Sequence, residues 1–282
     1  MSKVWFITGA SRGLGRIWTE AALRRGDRVV ATARNLASVE GLSKQFGDRV
    51  LLIPLDVTRP DEVIEAVGCA RSKFGRLDVV VNNAGDTLIG AIEECREDQV
   101  RALFDINYFG PLRVIQAVLP LLREQGGGHI LGVSSGLGIV AKPLLGAYSA
   151  TKFAIEALHE SLALEVEPFG VRVTLIEPGN FATGFAGRVP RDPVPNLPAY
   201  QELRTNSQRR LAGLEQGDPE ATAAAILAIV DAEKPPLRFA LGPAVLPAAR
   251  KAYLRRIKLW RAWARTSNAA QGTPRKGVIA PS

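Results

Sequence analysis

The stretch Thr8-Gly-Ala-Ser-Arg-Gly-Leu-Gly15 follows the apolar run Lys3-Val-Trp-Phe-Ile-Thr8 and leads into a segment with helical periodicity. A buried strand, a glycine-rich turn and a helix N-terminus in this order form a site for a pyrophosphate, because backbone N–H groups and the helix dipole face the anion. The glycine spacing, TGxxxGxG, is wider than the GxGxxG of the older dinucleotide fingerprint. The stretch therefore predicts a nucleotide-binding α/β fold.

Apolar runs alternate with segments of helical periodicity along the rest of the chain, a pattern typical of a doubly wound parallel sheet. Seven strands are predicted, near Val4–Thr8, Arg28–Ala33, Val50–Leu55, Val79–Asn82, His129–Ser134, Val171–Ile176 and Leu237–Leu241. We expect a single Rossmann-type doubly wound α/β domain over residues 1–245, with a parallel seven-stranded sheet flanked by helices. The Pro- and Gly-rich segment at about 180–215 follows the sixth strand. We expect it to be a substrate lid, because ligands bind beyond the carboxyl ends of parallel strands.

Three polar residues in the second half of the chain predict a proton-transfer site. Tyr148 and Lys152 lie one helical turn apart, and Ser135 lies thirteen residues before the tyrosine. Residues at i and i+4 share a helix face. An ammonium within about 4–6 Å of a phenol favours its ionised form and lowers its pKa by roughly 1–3 units. A phenol tuned in this way can donate and accept a proton.

Five motifs, in order and spacing, resemble the short-chain dehydrogenase/reductase family from about residue 3 to about residue 242. They are Thr8–Gly15, Asp56-Val57 after the third strand, Asn82-Asn-Ala-Gly85 after the fourth, the Ser135, Tyr148 and Lys152 set, and Pro178-Gly179 with Thr183 after the sixth. The resemblance implies a catalytic set of Asn107, Ser135, Tyr148 and Lys152. Asn107 would hold a water beside the lysine through its backbone carbonyl.

The same resemblance implies the residues that hold the cofactor and the substrate. The glycines would line the pyrophosphate, Asp56 and Val57 the adenine, and Thr183 the nicotinamide carboxamide. The cofactor set is Gly9, Ser11, Arg12, Gly13, Leu14, Gly15, Arg34, Asp56, Val57, Asn83, Ala84, Gly85, Tyr148, Lys152, Pro178, Gly179, Phe181 and Thr183. The substrate set is Ser135, Leu137, Leu145, Asn180 and Phe185. This pocket is largely apolar, although Asn180 could either bond a substrate hydroxyl or cap its loop.

The end of the second strand predicts the choice of cofactor. An enzyme selective for NAD carries an Asp or Glu there, which bonds the ribose 2′-OH and repels a 2′-phosphate. Here the position is Ala33, the next residue is Arg34, and Arg12 lies in the glycine turn. Two guanidinium groups can bind a phosphate bidentately. We therefore expect NADP(H).

The predicted reaction is hydride transfer between NADP(H) and a ketone or secondary alcohol. Tyr148 would act as the general acid or base, and Ser135 would donate a hydrogen bond to the carbonyl oxygen. Ser134 is a rival for the second role, and we prefer Ser135 from its spacing to the tyrosine. A redox sensor that binds NADP(H) without turnover is a second hypothesis, but such a protein is expected to lack Tyr148 or Lys152.

A serine esterase is a third hypothesis, because Gly132-Val-Ser134-Ser-Gly136 matches the GxSxG nucleophile elbow. That motif requires a helix directly after the serine, followed in sequence by an acid and then a histidine. The glycine-rich sequence after Ser134 does not continue as a helix, and His159 follows too closely. The esterase is therefore disfavoured.

Composition points to a soluble enzyme in the cytoplasm. Cys69 and Cys95 are the two cysteines of the 282 residues and argue against a disulfide framework, and the two histidines, His129 and His159, suggest no metal cluster. No apolar run approaches the ~20 residues of a membrane span, and no signal-peptide pattern is present. We expect a small-molecule substrate, no membrane or nucleic-acid partner, and a homo-oligomer.

Much of the net charge of +8 lies in residues 246–265, which are predicted to form a basic amphipathic helix. Tyr253, Ile257 and Trp260 fall at i, i+4 and i+7 and give it one apolar stripe. Docking on its own domain or on a partner subunit is favoured over a membrane-surface helix or a nucleic-acid patch. Residues 266–282 are expected to form a flexible polar tail.

Overall fold

A parallel seven-stranded sheet forms the centre of the computed structural model, which describes residues 2–184 and 193–272. The strands are β1 Val4–Ile7, β2 Arg28–Ala33, β3 Val50–Pro54, β4 Val79–Asn82, β5 Gly128–Val133, β6 Val171–Pro178 and β7 Arg238–Leu241. Their order is β3-β2-β1-β4-β5-β6-β7. The winding direction reverses between β1 and β4, so the carboxyl ends of these two strands form the crevice in which such sheets bind ligands. The predicted fold is confirmed.

Helices cover both faces of the sheet. Within the described ranges they are α1 Gly13–Arg25, α2 Glu40–Phe46, α3 Pro60–Phe74, α4 Glu97–Phe104, α5 Gly110–Glu124, α6 Gly146–Val166, α7 Gln201–Ala212, α8 Thr222–Asp231 and α9 Val245–Ala269. Val114 on α5 and Leu162 on α6 belong to one apolar core, and Trp18 on α1 belongs to the other. Successive strand residues face opposite sides, so Phe6 and Trp5 enter different cores. Burial on both faces explains the uninterrupted apolar runs.

The strand boundaries agree with the predictions to within two residues. Two differences affect the site. β5 ends at Val133, one residue earlier than predicted, which leaves Ser134 in the following loop. β6 continues past Ile176 to Pro178, because its last two residues pair with β7.

The C-terminal helix is longer than predicted. α9 ends at Ala269, so residues 266–269, assigned to a tail, are helical. No Gly or Pro interrupts the chain between Pro247 and Gly272, which lets the helix continue. The stripe, predicted to dock on its own domain or on a partner subunit, is left largely uncovered by the described part of the domain, since Tyr253 is 46% and Trp260 67% exposed. The predicted tail from residue 273 onward lies outside the described residues. Within the described ranges, no helix combines the length and apolar character needed to cross a membrane.

Candidate active site

The glycine turn between β1 and α1 is shaped to receive a ligand backbone or phosphate. Gly9 and Gly13 have φ angles of +70° and +54°, which favour glycine. A Cβ on Gly15 would lie 2.3 Å from Asn83 Nδ2 and 2.5 Å from the carbonyl oxygen of Gly9. The first turn of α1 carries no acidic side chain, so its N–H groups and dipole are available to an anion. The turn therefore fits the pyrophosphate of a dinucleotide.

The Asn82–Gly85 motif after β4 holds this turn in place. Asn83 Nδ2 donates hydrogen bonds to the carbonyl oxygens of Thr8 (2.8 Å) and Gly9 (3.2 Å). The hydroxyl of Thr8 in turn accepts from the backbone N–H groups of Asn83 (2.9 Å) and Ala84 (3.0 Å). The side chain of Asn83 thus positions the glycine turn, a role that the sequence did not indicate.

The corner predicted to bind the 2′-phosphate lies where the glycine turn meets β2. Ala10 N donates to the carbonyl oxygen of Thr32 (2.9 Å), which joins the two segments. Ala33 ends β2 and is buried, whereas the side chains of Arg34 and Arg12 are exposed. Both arginines therefore lie at the surface, on stretches of backbone that this hydrogen bond joins.

The predicted adenine residues follow β3 at the same edge of the sheet. Asp56 Oδ1 accepts hydrogen bonds from the backbone N–H (3.0 Å) and the hydroxyl (2.8 Å) of Thr58, which fix the turn. Val57 is buried, and its Cγ2 lies 2.7 Å from where a Cβ on Gly110 would stand. The turn is therefore held firmly against α5.

Ser135, Tyr148 and Lys152 come together beyond the carboxyl end of β5. Ser135 Oγ accepts a hydrogen bond from the N–H of Leu137 (3.1 Å) and is hydrogen-bonded to the phenol of Tyr148. Lys152 Nζ donates to the carbonyl oxygen of Val133 (2.9 Å) and lies 5.7 Å from the centroid of the Tyr148 ring. The structure thus assembles the predicted set.

The pKa of the phenol moves in the direction opposite to the prediction. Burial raises the pKa of Tyr148 to about 12, although its hydrogen bond with Ser135 acts to lower it. Burial also lowers the pKa of Lys152 to about 8, against the attraction of Glu156. Desolvation disfavours the charged form of each group. The phenol is therefore held protonated at neutral pH, as a general acid requires, and most of the lysine remains charged.

Asn107 lies beside the lysine, in a π-helical turn Asp105–Phe109 between α4 and α5. Its Nδ2 donates to Thr151 Oγ1 on α6 (3.0 Å), and its Oδ1 accepts from the N–H of Asp86 (2.8 Å). A Cβ on Gly85 would lie 3.3 Å from Asn107 Oδ1 and 3.9 Å from Lys152 Nζ. The side chain therefore ties α6 to the loop after β4 at the lysine. π-Turns are frequent at functional sites.

A buried acidic cluster behind the lysine was missed by sequence reasoning. Glu156 lies one turn beyond Lys152 on α6 and is paired with Arg238 on β7, which also donates to Glu177 Oε1 (3.1 Å). Burial raises the pKa of Glu156 to about 7, and the neighbouring Glu177 acts in the same direction. The i+4 spacing from Tyr148 through Lys152 continues to Glu156 and could have indicated it.

Ser134 belongs to this cluster and not to the catalytic pocket. Ser134 is 3% exposed, and its hydroxyl faces the same spot as the Glu156 carboxylate. A Cβ placed on Gly138 would lie 2.5 Å from Ser134 Oγ and 2.9 Å from Glu156 Oε1. His159 is fully buried, and its Nδ1 is hydrogen-bonded to the carbonyl oxygen of Ile155 (2.9 Å). Neither group is accessible to an ester, so the geometry does not support a serine esterase.

The loop after β6 borders the glycine turn. Gly179 N donates to the carbonyl oxygen of Leu241 (2.9 Å), which continues the pairing beyond Pro178. The Cβ of Thr183 lies 3.5 Å from where a Cβ on Gly13 would stand, so this threonine flanks the cofactor crevice. The ring of Phe181 packs against Gly217 and Gly242 instead, and its carbonyl oxygen accepts a hydrogen bond from Thr183 N (2.8 Å).

The substrate side of the site is apolar. Tyr148 and Leu88 belong to a small buried cluster, against which Leu137, Leu145 and Val194 pack. Asn180 Nδ2 donates to the carbonyl oxygen of Glu215 (3.2 Å), which joins the loop after β6 to the segment that follows α7. Phe185, predicted to contact the substrate, lies outside the described residues.

The described part of the predicted lid is attached to the loop after β4. The carboxylate of Glu94, whose side chain is fully buried, forms an ion pair with Arg204 on α7 and accepts from Leu197 N (2.8 Å). Tyr200 donates from its hydroxyl to Glu93 Oε2 (2.5 Å). These contacts hold residues 193–212 against the apolar side of the site.

Comparisons with known proteins agree with this geometry. The family model described as short chain dehydrogenase matches residues 3–193. The chain is 41% identical to Oxidoreductase BOA17 of Botryotinia fuckeliana (strain B05.10), over 89% of this chain and 93% of that protein. It is 37% identical to 3-ketodihydrosphingosine reductase of Bacteroides thetaiotaomicron, over 86% of this chain and 89% of that protein.

Solved structures give the same result. The fold superposes on a short-chain dehydrogenase from Streptomyces avermitilis with a TM-score of 0.88 and 39% identity, covering 95% of this chain and 98% of that one. A short chain dehydrogenase from Burkholderia cenocepacia J2315, solved in complex with NADP, gives a TM-score of 0.74 and 27% identity. The match covers 97% of this chain and 98% of that one. Together with the Ser135, Tyr148 and Lys152 geometry, these matches identify the chain as an oxidoreductase of the short-chain dehydrogenase family.

Proposed function

We propose that this protein is an NADPH-dependent carbonyl reductase that converts a ketone with a hydrophobic body to a secondary alcohol. The observation that carries the proposal is the hydrogen bond between Ser135 and Tyr148, with the ammonium of Lys152 beside the phenol ring. A carbonyl oxygen that met both hydroxyl groups would have two donors where negative charge develops.

Each of these residues has a distinct task. A bound nicotinamide cofactor supplies or accepts the hydride. Ser135 Oγ accepts from Leu137 N, which fixes the oxygen, and a bound substrate oxygen would take the serine proton in place of the phenol. Tyr148, whose raised pKa keeps it protonated, donates the proton that completes the alcohol. Lys152 is held by the Val133 carbonyl and offsets the charge left on the phenolate.

The apolar cluster around Tyr148 supports a hydrophobic substrate. Leu88, Leu137 and Leu145 offer hydrocarbon surface, whereas the amide of Asn180 is engaged with the carbonyl oxygen of Glu215. The buried carboxylate of Glu94, which contacts the lid, is paired with Arg204, so a cationic substrate would find no unpaired partner in it. The name of the Bacteroides relative, 3-ketodihydrosphingosine reductase, also denotes a ketone reductase.

Steady-state reduction of straight-chain methyl ketones, followed by the loss of NADPH absorbance, tests the proposal. Each added methylene should raise kcat/KM by about fourfold until the pocket is filled, because a buried CH₂ contributes about 0.8 kcal/mol. Keto acids of equal length serve as the matched control and should react far more slowly. Tight NADPH binding without turnover of any ketone would favour the redox sensor instead.

The two adjacent serines should respond differently to substitution. Ser135→Ala should reduce kcat by about 10²-fold, as expected for the loss of a donor to the developing oxyanion. Ser134→Ala should leave kcat within a few-fold, because Ser134 is buried beside Glu156, and should lower the melting temperature instead. Steady-state kinetics and thermal unfolding of both variants separate the roles, and the opposite pattern would assign catalysis to Ser134.

A further inference from the structure

One face of α9 carries large apolar side chains that the rest of the described chain leaves largely uncovered. Leu246, Tyr253, Ile257 and Trp260 are spaced seven, four and three residues apart, which places them on one side of the helix. Their exposed fractions are 68%, 46%, 38% and 67%. We call these four residues the apolar stripe. Contiguous exposed apolar surface of this kind marks an interaction site.

The same helix holds nearly all of the net charge. Its seven basic residues are Arg250, Lys251, Arg255, Arg256, Lys258, Arg261 and Arg265, and it has no acidic residue. The rest of the chain has 29 basic residues against 28 acidic ones, since the totals are 36 and 28. The positive charge is therefore a local property of α9.

The first half of α9 is attached to the domain. Val245 is buried, and its Cγ2 lies 3.3 Å from where a Cβ on Gly179 would stand. Arg256 donates from Nη2 to the carbonyl oxygen of Ile139 (2.8 Å) and lies over the ring of Phe153. Beyond Arg256, Trp260 and Trp263 are each 67% exposed. The second half of the helix thus presents its two tryptophans and the basic residues Lys258, Arg261 and Arg265 at the surface.

We propose that α9 docks the protein on a membrane surface that contains anionic lipids. Helices with an apolar face and a polar face rich in Lys and Arg lie in the plane of the lipid headgroups. Trp and Tyr favour this interface because their rings are apolar at one end and polar at the other. The apolar stripe enters the headgroup layer, and the basic residues meet the lipid phosphates and carboxylates.

The charge distribution favours this occupant over two others. A second copy of α9 would bring seven positive charges against seven, which opposes pairing through this face. A nucleic acid would use the basic residues and leave Ile257 and Trp260 without a partner. The proposal does not depend on the reaction proposed above. Because Val245 also packs near Gly136, docking would bring the residues around Ser135 close to the lipid.

Vesicle binding by the full chain tests the proposal. We expect the protein to sediment with phosphatidylcholine vesicles that contain phosphatidylserine, to be released by high salt, and to bind pure phosphatidylcholine at least 100-fold more weakly. Tryptophan emission gives a second measurement. Trp5 and Trp18 are 0% and 1% exposed, so a blue shift on binding reports on Trp260 and Trp263.

Two α9 variants and one control separate the contributions. Ile257→Ser/Trp260→Ser should weaken vesicle binding by at least tenfold. Lys258→Gln/Arg261→Gln/Arg265→Gln should weaken it by about 100-fold, since each basic residue contributes roughly fivefold near an anionic surface. Ile64→Ser/Leu164→Ser removes two other exposed apolar side chains (65% and 75%), against 38% for Ile257 and 67% for Trp260, and should bind like the wild type.

Three results would overturn the proposal. The first is no binding of the wild type to anionic vesicles at low salt, and the second is binding that both α9 variants retain. The third is evidence for a different occupant of the stripe. Sedimentation velocity would show self-association that Ile257→Ser/Trp260→Ser abolishes, or the protein would bind duplex DNA more tightly than anionic vesicles.

Discussion

A Tyr148→Phe variant should reduce kcat by roughly 10³-fold, within the range contributed by a general acid, while NADPH affinity stays within a few-fold of wild type. The substitution removes the transferable proton and the hydrogen bond to Ser135 but keeps the ring. Packing in the cluster with Leu88 and Leu103 is therefore retained. Single-turnover reduction of a ketone measures the chemical step, and NADPH fluorescence titration measures binding.

Tyr253→Phe is the matched control for this variant, because Tyr253 loses the same hydroxyl from an exposed position on α9. Its kcat should equal that of the wild type. If Tyr148→Phe retained more than about a tenth of the wild-type kcat, the phenol would not be the general acid. A parallel loss of NADPH binding would instead mean that the hydroxyl supports the cofactor site.

An Ala33→Asp/Arg34→Leu variant should change cofactor selectivity by about 10²-fold or more in favour of NADH. Charge-assisted hydrogen bonds contribute roughly 1.5–3 kcal/mol each, and both arginines are exposed, so solvent screening reduces this sum. The new carboxylate at the end of β2 would repel a 2′-phosphate and accept from a ribose 2′-OH. The ratio of kcat/KM for NADPH and NADH measures the change.

Arg34→Leu alone separates selectivity from folding, because Ala33 is only 4% exposed and a carboxylate there could destabilise β2. The single variant should weaken the binding of NADPH and leave the binding of NADH unchanged. Arg24→Leu, at the opposite end of α1 from Arg12, removes an exposed guanidinium. This control should change the affinity for neither NADPH nor NADH. Equal affinity of the wild-type protein for NADH and NADPH would show that neither Arg12 nor Arg34 reaches the phosphate.

The sequence by itself determined the elements whose cause is local. The apolar runs predicted seven strands, because a strand buried on both faces must be apolar along its length. The glycines of Thr8–Gly15 were readable because a left-handed backbone or a close approach requires glycine. Tyr148 and Lys152 were readable because residues at i and i+4 share a helix face.

Only the tertiary structure decided what depends on burial and on partners distant in the chain. The attraction of a nearby ammonium predicted a lowered pKa for Tyr148, but desolvation by the surrounding fold exceeds it and raises the pKa. Asn83 bonds the glycine turn across 75 positions, and Arg238 reaches Glu156 across 82, distances that no local pattern encodes. Tyr253, Ile257 and Trp260 of the apolar stripe were evident in the sequence, but their exposure was not, because exposure is set by what the folded domain leaves uncovered.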